Sequence, residues 1–249
     1  MFATLKGFFA DRGLGAETSA VSAWARRRGH VFKRTANVEG FAIDGTLDGK
    51  PWRLEWGPPQ RPYITGNELR ARMVLGLPPD LQMLLLSRPL MEALERQTYE
   101  QFTQSNQTEM GAATPEEMRW LVMFPKIGLD ALKPVRARFG GVSSLEGDGL
   151  AWLEGPLANL LVKAGDNMLA AGPPFVLMTL RGRIYLRLQL ATPDASVVAE
   201  ALDLFETAAS EALRVAARRP IARVDSTPSA STAWQSLHPE PRRNSKPAD

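Results

Sequence analysis

The sequence predicts an α+β fold, built mainly of antiparallel sheets in two packed halves, each covered by helices. Three observations support this prediction: a hairpin signal in residues 41–56, a second hairpin pattern in residues 175–188, and a long amphipathic helix over residues 193–218. The two hairpins indicate antiparallel pairing. At 1.5 Å per residue, a helix of about 25 residues spans about 38 Å, which is enough to cover a sheet.

The first hairpin is centred on Asp48-Gly49, a dipeptide that favours a two-residue turn between alternating strands. The turn sets a register with an opposite-charge pair on one face and a tryptophan ring beside a glycine on the other. The predicted cross-strand pairs are Leu47 with Lys50, Asp44 with Arg53, and Gly45 with Trp52.

The second hairpin places Leu180 opposite Arg183, so that alternate apolar residues share one face. Thr192-Pro193-Asp194 then precedes the long helix, in which apolar residues from Val198 to Ala216 recur at helical spacing. These two elements define the second half of the predicted fold.

The remaining elements follow from periodicity and from glycine and proline punctuation. Helices are predicted over residues 16–28, 87–104 and 155–163, with Gly13 and Gly15 breaking the segment before the first of them. Strands are predicted over residues 30–33, 68–75, 81–86, 118–124, 135–142 and 150–154. A helix is the alternative for residues 118–124, because Thr114-Pro115-Glu116-Glu117 before them is typical of a helix start.

Four segments follow from these elements. They are an N-terminal lead (1–15), a first α+β half (16–108), a second α+β half (109–219) and a disordered tail (220–249). The boundary lies in a polar, small-residue stretch. The tail is rich in proline and serine and poor in apolar residues, which is typical of disorder.

Composition excludes several classes of site. The chain has no cysteine and two histidines, which rules out thiolate chemistry and leaves little material for a histidine triad or a multi-histidine metal site. Phosphate-loop, dinucleotide-binding and zinc-protease motifs are missing from the sequence. We therefore predict no catalytic residues, no metal and no cofactor.

Charge and hydropathy limit the partners. The two ends of the chain are basic and the part between them is slightly acidic, so we expect no nucleic-acid binding. We expect a cytoplasmic protein without a transmembrane segment. Weak peripheral membrane contact is expected at most through an apolar stripe near the N-terminus, formed by Phe2, Leu5, Phe8 and Phe9. Arg26, Arg27 and Arg28 end a helix, where cations complement its dipole or bind an anionic group.

One polar set stands out as a candidate ligand-binding site near a proline-rich loop. Its residues are Arg53, Glu55, Arg61, Tyr63, Arg70 and Arg72, with Glu68 beside them. Arginine and tyrosine in such a setting could bind a carboxylate or a phosphate. The alternative is a solvated sheet face with cross-strand ion pairs, each contributing at most about 1 kcal/mol.

Two stretches resemble a family of bacterial proteins of unknown function. They are residues 23–30 (Ala-Trp-Ala-Arg-Arg-Arg-Gly-His), followed by Gly40 and Asp48-Gly49-Lys50, and the later run over residues 150–156. The resemblance spans about residues 16–215. It implies a bacterial, two-part α+β protein and no particular activity.

Three functions agree with these observations. The first is a non-catalytic binding or assembly module that engages a protein partner. The second is an enzyme that uses Asp, Glu and Arg on a small anionic substrate. The third is a peripheral membrane protein anchored through its N-terminal segment.

Overall fold

The computed structural model describes residues 3–35, 39–104 and 114–219, with the side chains of residues 3–14 and 101–104 left aside. The elements in this part of the chain are, in order, α1 (Ala3–Arg27), β1 (Val31–Arg34), β2 (Phe41–Leu47), β3 (Lys50–Gly57), β4 (Glu68–Val74), β5 (Met83–Ser87), α2 (Arg88–Gln104), α3 (Glu116–Met123), α4 (Lys133–Arg138), β6 (Phe139–Ser143), α5 (Glu146–Leu153), α6 (Pro156–Asp166), β7 (Phe175–Leu180), β8 (Arg183–Gln189) and α7 (Ala195–Arg218).

The α+β class is confirmed, because every strand pair is antiparallel and the helices pack on the sheet. The strands form one sheet in the order β1-β2-β3-β4-β8-β7-β5-β6. The architecture differs from the expected pair of sheets, since β4 pairs with β8 and β5 lies between β7 and β6. The predicted boundary at 108/109 and the predicted tail at 220–249 lie outside the described residues.

Both hairpins have the predicted register. In the first, Asp44 pairs with Arg53 and Gly45 with Trp52. Asp48 and Gly49 have φ angles of 49° and 76°, the left-handed conformation that a two-residue turn of this type requires at both central positions. In the second, Leu180 pairs with Arg183 across a turn at Arg181-Gly182.

One sheet face is covered by α1, α5, α6 and α7. The core beneath these helices includes Ile43, Leu54, Leu177 and Phe205, each almost completely buried. Burial of side chains of this size contributes about 1.5–3 kcal/mol each. The long helix predicted over 193–218 is confirmed as α7, which lies on this face and contacts α1, α5 and α6.

The opposite face is divided. Over β5, β6 and β7, a second apolar cluster packs beneath α2 and α3 and includes Leu84, Leu94, Trp120 and Met178. Over β2, β3 and β4, the same face carries charged side chains instead. The fold thus places a helix-covered half beside a charged half, with β8 between them.

Two of the predicted strands are wrong and a third begins four residues later than predicted, and all three lie between residues 118 and 154. Residues 118–123 belong to α3, residues 135–138 belong to α4 with β6 starting only at Phe139, and residues 150–153 belong to α5. Pro134 sits in the first turn of α4, and Glu146 and Asp148 lie in the first turn of α5, as helix starts favour. Trp152 secures α5 by donating from Nε1 to the Ala208 carbonyl oxygen at 2.9 Å.

The predicted break at Gly13 and Gly15 is also wrong, because α1 continues through both glycines. A glycine inside a helix costs about 1 kcal/mol relative to alanine but keeps its backbone hydrogen bond, so it weakens a helix without ending it. No helix in the described part of the chain is long and apolar enough to cross a membrane.

Candidate binding site on the charged sheet face

The charged half of the sheet, called the charged face below, is formed by alternate residues of four neighbouring strands. Its members are Asp44 on β2, Arg53 and Glu55 on β3, Glu68, Arg70 and Arg72 on β4, and Arg183 and Arg187 on β8. Period-two alternation turns these side chains to one side while their neighbours enter the core. The structure therefore brings together Arg53, Glu55, Arg70 and Arg72, as the sequence predicts.

A chain of ion pairs crosses three strands of this face. The Arg53 guanidinium lies 3.2 Å from Asp44 and 2.8 Å from Glu55, and Arg70 donates from Nε to the other Glu55 oxygen at 3.0 Å. Lys33 extends the chain by binding Asp44 at 3.0 Å. The paired groups are half-exposed, so each pair contributes up to about 1 kcal/mol and mainly fixes side-chain positions.

Glu68 is the buried end of this arrangement, with 0% of its surface exposed. One carboxylate oxygen accepts a hydrogen bond from the Gln60 backbone N–H at 2.7 Å, and the other is bound by the Arg187 guanidinium. Arg70 lies 3.8 Å away. Glu68 thus joins the charged face to the proline-rich loop. Alternation along the strand does not by itself predict that Glu68 is buried.

The two loop residues of the predicted site, Arg61 and Tyr63, bind Glu117 on α3. Arg61 donates from Nε at 3.0 Å and Tyr63 from its hydroxyl at 2.9 Å. Glu117 is completely buried. Burial and the neighbouring Glu117 carboxylate raise the pKa of the Tyr63 phenol. These contacts attach the loop to α3. Because the Arg61 Nε and the Tyr63 hydroxyl both donate to Glu117, these two donors are already used within the fold.

Sequence reasoning missed Glu117 as a partner. Its only local signal was its place after Thr114-Pro115, a pattern typical of a helix start. Its two donors lie 54 and 56 residues earlier in the chain, and no sequence pattern links positions that far apart.

Arg72 differs from the other arginines of the candidate set. It lies directly opposite Arg53 on one side and Tyr185 on the other, and it is exposed. Among the described residues its guanidinium has no hydrogen-bond partner and no carboxylate within ion-pairing distance, and the same holds for the guanidinium of Arg183. Arg72 is therefore the member of the set whose guanidinium is open to a ligand.

The lowered pKa of Glu55 makes the free energy of unfolding depend on pH. Burial raises its pKa, but hydrogen bonds from Arg53 and Arg70 outweigh this effect and hold the pKa below the ordinary 4.5. A carboxyl that is more acidic in the folded state stabilises the fold above its unfolded pKa and loses this contribution as pH falls through the folded-state value.

We therefore expect Glu55→Gln to reduce the loss of stability between pH 7 and pH 3 by up to about 1 kcal/mol. Urea unfolding at both pH values, followed by circular dichroism, measures this difference. Glu154→Gln, which neutralises an exposed carboxyl after α5, is the matched control. An equal effect in the two variants would contradict the assignment.

The side chains of α1 are described at its basic C-terminal end and not at its N-terminal end. Arg26, Arg27 and Arg28 are exposed around the last turn and the residue after it, and Arg28 lies 3.8 Å from Asp203 of α7. The side chains of the predicted apolar stripe, residues 2–9, lie outside the description. Within the described part, no group of three or more His, Asp or Glu side chains is placed to hold a metal ion.

Comparison with known proteins adds one structural likeness. No protein-family model matches the chain, and no curated protein matches it. It is similar to the crystal structure of the mycobacterial trehalose monomycolate transport factor A, TtfA, with 11% sequence identity and a TM-score of 0.48, over 84% of this chain and 99% of that chain. A likeness at this level assigns no function. The fold and the site define a class of protein: an α+β protein whose sheet carries a charged half-face that no helix covers within the described part of the chain.

Proposed function

We propose that this protein is a non-catalytic binding module and that a protein partner docks on the charged face. The observation behind this proposal is the asymmetry of the sheet. Helices cover one face and half of the other, whereas Thr46, Arg72, Val74 and Arg183 are exposed on the remaining half among the described residues. A sheet half-face with ordered charges and exposed side chains is available to a partner.

The acidic groups of the charged face and of its neighbouring loop contact support binding over catalysis there. Asp44, Glu55, Glu68 and Glu117 are each bound by an arginine, so their carboxylate oxygens are already occupied by partners within the fold. A general acid needs a pKa raised toward neutrality, whereas the pKa of Glu55 is lowered. The raised pKa of Tyr63 likewise opposes its use as a base.

The composition of the face favours a protein partner. Arginine and tyrosine are enriched in protein interfaces and supply much of their binding energy. The ion pairs from Lys33 to Arg70 hold these side chains in place before binding, which lowers the entropy cost of association. Complementary charge on a partner then selects it and speeds encounter.

A photo-crosslinking amino acid at Thr46, exposed on β2 of the charged face, tests this proposal in cells of the source organism. We expect a discrete protein adduct whose yield falls when a lysate is raised from about 50 to 500 mM salt, because salt screens exposed charges. The same amino acid at Ser210, exposed on α7 behind the opposite face, is the control. Equal adducts at both positions, or none at Thr46, would overturn docking on this face.

A further inference from the structure

A groove beside Arg72 has features that docking of a protein does not require. It has a volume of about 350 Å³ and is lined by Asp44, Pro51, Arg53, Arg72, Val74 and Arg183, among others. We call it the arginine groove. Its volume is near the lower end of the range for small-molecule sites.

Arg72 lies between the two other arginines of the groove in the strand register. Arg53 lies directly opposite on β3, and Arg183 lies two residues from the direct partner Tyr185 on β8, which makes it a diagonal neighbour. Neighbouring strands are about 4.8 Å apart, so long side chains at these positions reach a common point.

The charges of the groove do not balance. Asp44 and Glu55 bind Arg53, but Arg72 and Arg183 have no such partner among the described residues. Three arginines and one aspartate leave two positive charges in the lining. Like charges directly opposite each other destabilise a sheet, so we expect no stabilising role for the Arg72 charge opposite Arg53.

An apolar wall accompanies these charges. Val74 and Pro51 line the same groove, and Val74 is 57% exposed. A ligand that matches both features carries a compact double negative charge on a small organic body.

We propose that the arginine groove binds a phosphate monoester of a small molecule. Such a phosphate carries about −1.5 to −2 charges at pH 7, which matches the excess charge, and guanidinium groups bind its oxygens in pairs. The organic part lies against Pro51 and Val74. This ligand is additional to the protein partner proposed above and does not depend on it.

The probe is phenyl phosphate, titrated by isothermal calorimetry and by two-dimensional NMR of the 15N-labelled full chain. We expect saturable binding, with amide shifts concentrated in β3, β4 and β8. Arg72→Gln and Arg183→Gln should each weaken binding about tenfold or more, and Arg218→Gln, which changes an exposed arginine at the end of α7, should leave it unchanged. Affinity should also fall between pH 7.5 and pH 5.5, because the phosphate gains a proton near pH 6.

Circular dichroism melting of Arg72→Gln shows whether a loss of affinity comes from misfolding. Removal of an unpaired arginine opposite Arg53 should leave the melting temperature unchanged or slightly higher. Equal affinity for benzoate would show that the groove binds small organic anions in general, which would contradict a site for phosphate monoesters. Binding of a phosphoserine peptide without binding of phenyl phosphate would place the phosphate on a protein, against the proposal. Unchanged affinity in Arg72→Gln would overturn it, whatever the crosslinking at Thr46 shows.

Discussion

Replacing Glu68 with glutamine is expected to lower the free energy of unfolding by about 3–5 kcal/mol, as breaking a buried ion pair does. Glu68 is completely buried, and Arg187, which binds it, is 8% exposed. Without the carboxylate, the Arg187 charge is left in a poorly hydrated position. The Gln60 N–H, which donates to Glu68 at 2.7 Å, also loses a charged acceptor.

Urea unfolding at pH 7 measures this loss, and Glu55→Gln is the matched control. It removes the same charge from the same face, but its partners are half-exposed, so we expect a loss of at most about 1 kcal/mol. The double variant Glu68→Leu/Arg187→Met should be far less destabilised than Glu68→Gln, because two apolar side chains leave no uncompensated charge. Equal losses in Glu68→Gln and Glu55→Gln would show that burial does not set the strength of the pair.

Glu68 also shows what a sequence pattern can and cannot supply. Alternation along β4 predicts its face correctly. Its burial depends on the loop at Gln60 and on Arg187, which is 119 residues away in the chain. Because period-two patterns report which side a residue faces and not what covers that side, a carboxylate in a buried pair looks like an exposed one.

The residues of the candidate site also fall into two groups, those that sequence patterns bring together and those that depend on distant contacts. Arg53, Glu55, Arg70 and Arg72 belong to adjacent strands whose register follows from turn chemistry and alternation, so their grouping could be predicted. Arg61 and Tyr63 lie in an irregular loop, and their partner Glu117 is on a helix. No local rule relates a loop to a distant helix.

Element type was hardest to predict between residues 116 and 153. Helices α3, α4 and α5 in this region are six to eight residues long. Helices this short are unstable alone, so packing decides their conformation. The two β-hairpins, which have local turn signals, formed in the predicted register.

Gly45→Ala is expected to lower the free energy of unfolding by about 1–3 kcal/mol through overpacking. A Cβ at this position would lie 2.2 Å from Cζ2 of Trp52 and 2.7 Å from its Cε2. The ring is 2% exposed and packs edge-on against His30 at a centroid distance of 4.8 Å. It therefore has little room to move away from an added methyl group.

Two further variants isolate the cause of this loss. In a Trp52→Phe background, Gly45→Ala should cost less than in the natural chain, because the clashing atoms belong to the part of the indole that phenylalanine lacks. Gly147→Ala, where a Cβ meets nothing within 4 Å inside α5, should stabilise by about 0.4–1 kcal/mol. Equal costs of Gly45→Ala with Trp52 and with Phe at that position would rule out the ring as the cause. Nonadditive costs would show that the tryptophan ring occupies the space beside Gly45. Gly45 and Trp52 are direct partners in the same register that pairs Asp44 with Arg53 beside the arginine groove, so this contact belongs to the packing that the hairpin register brings about.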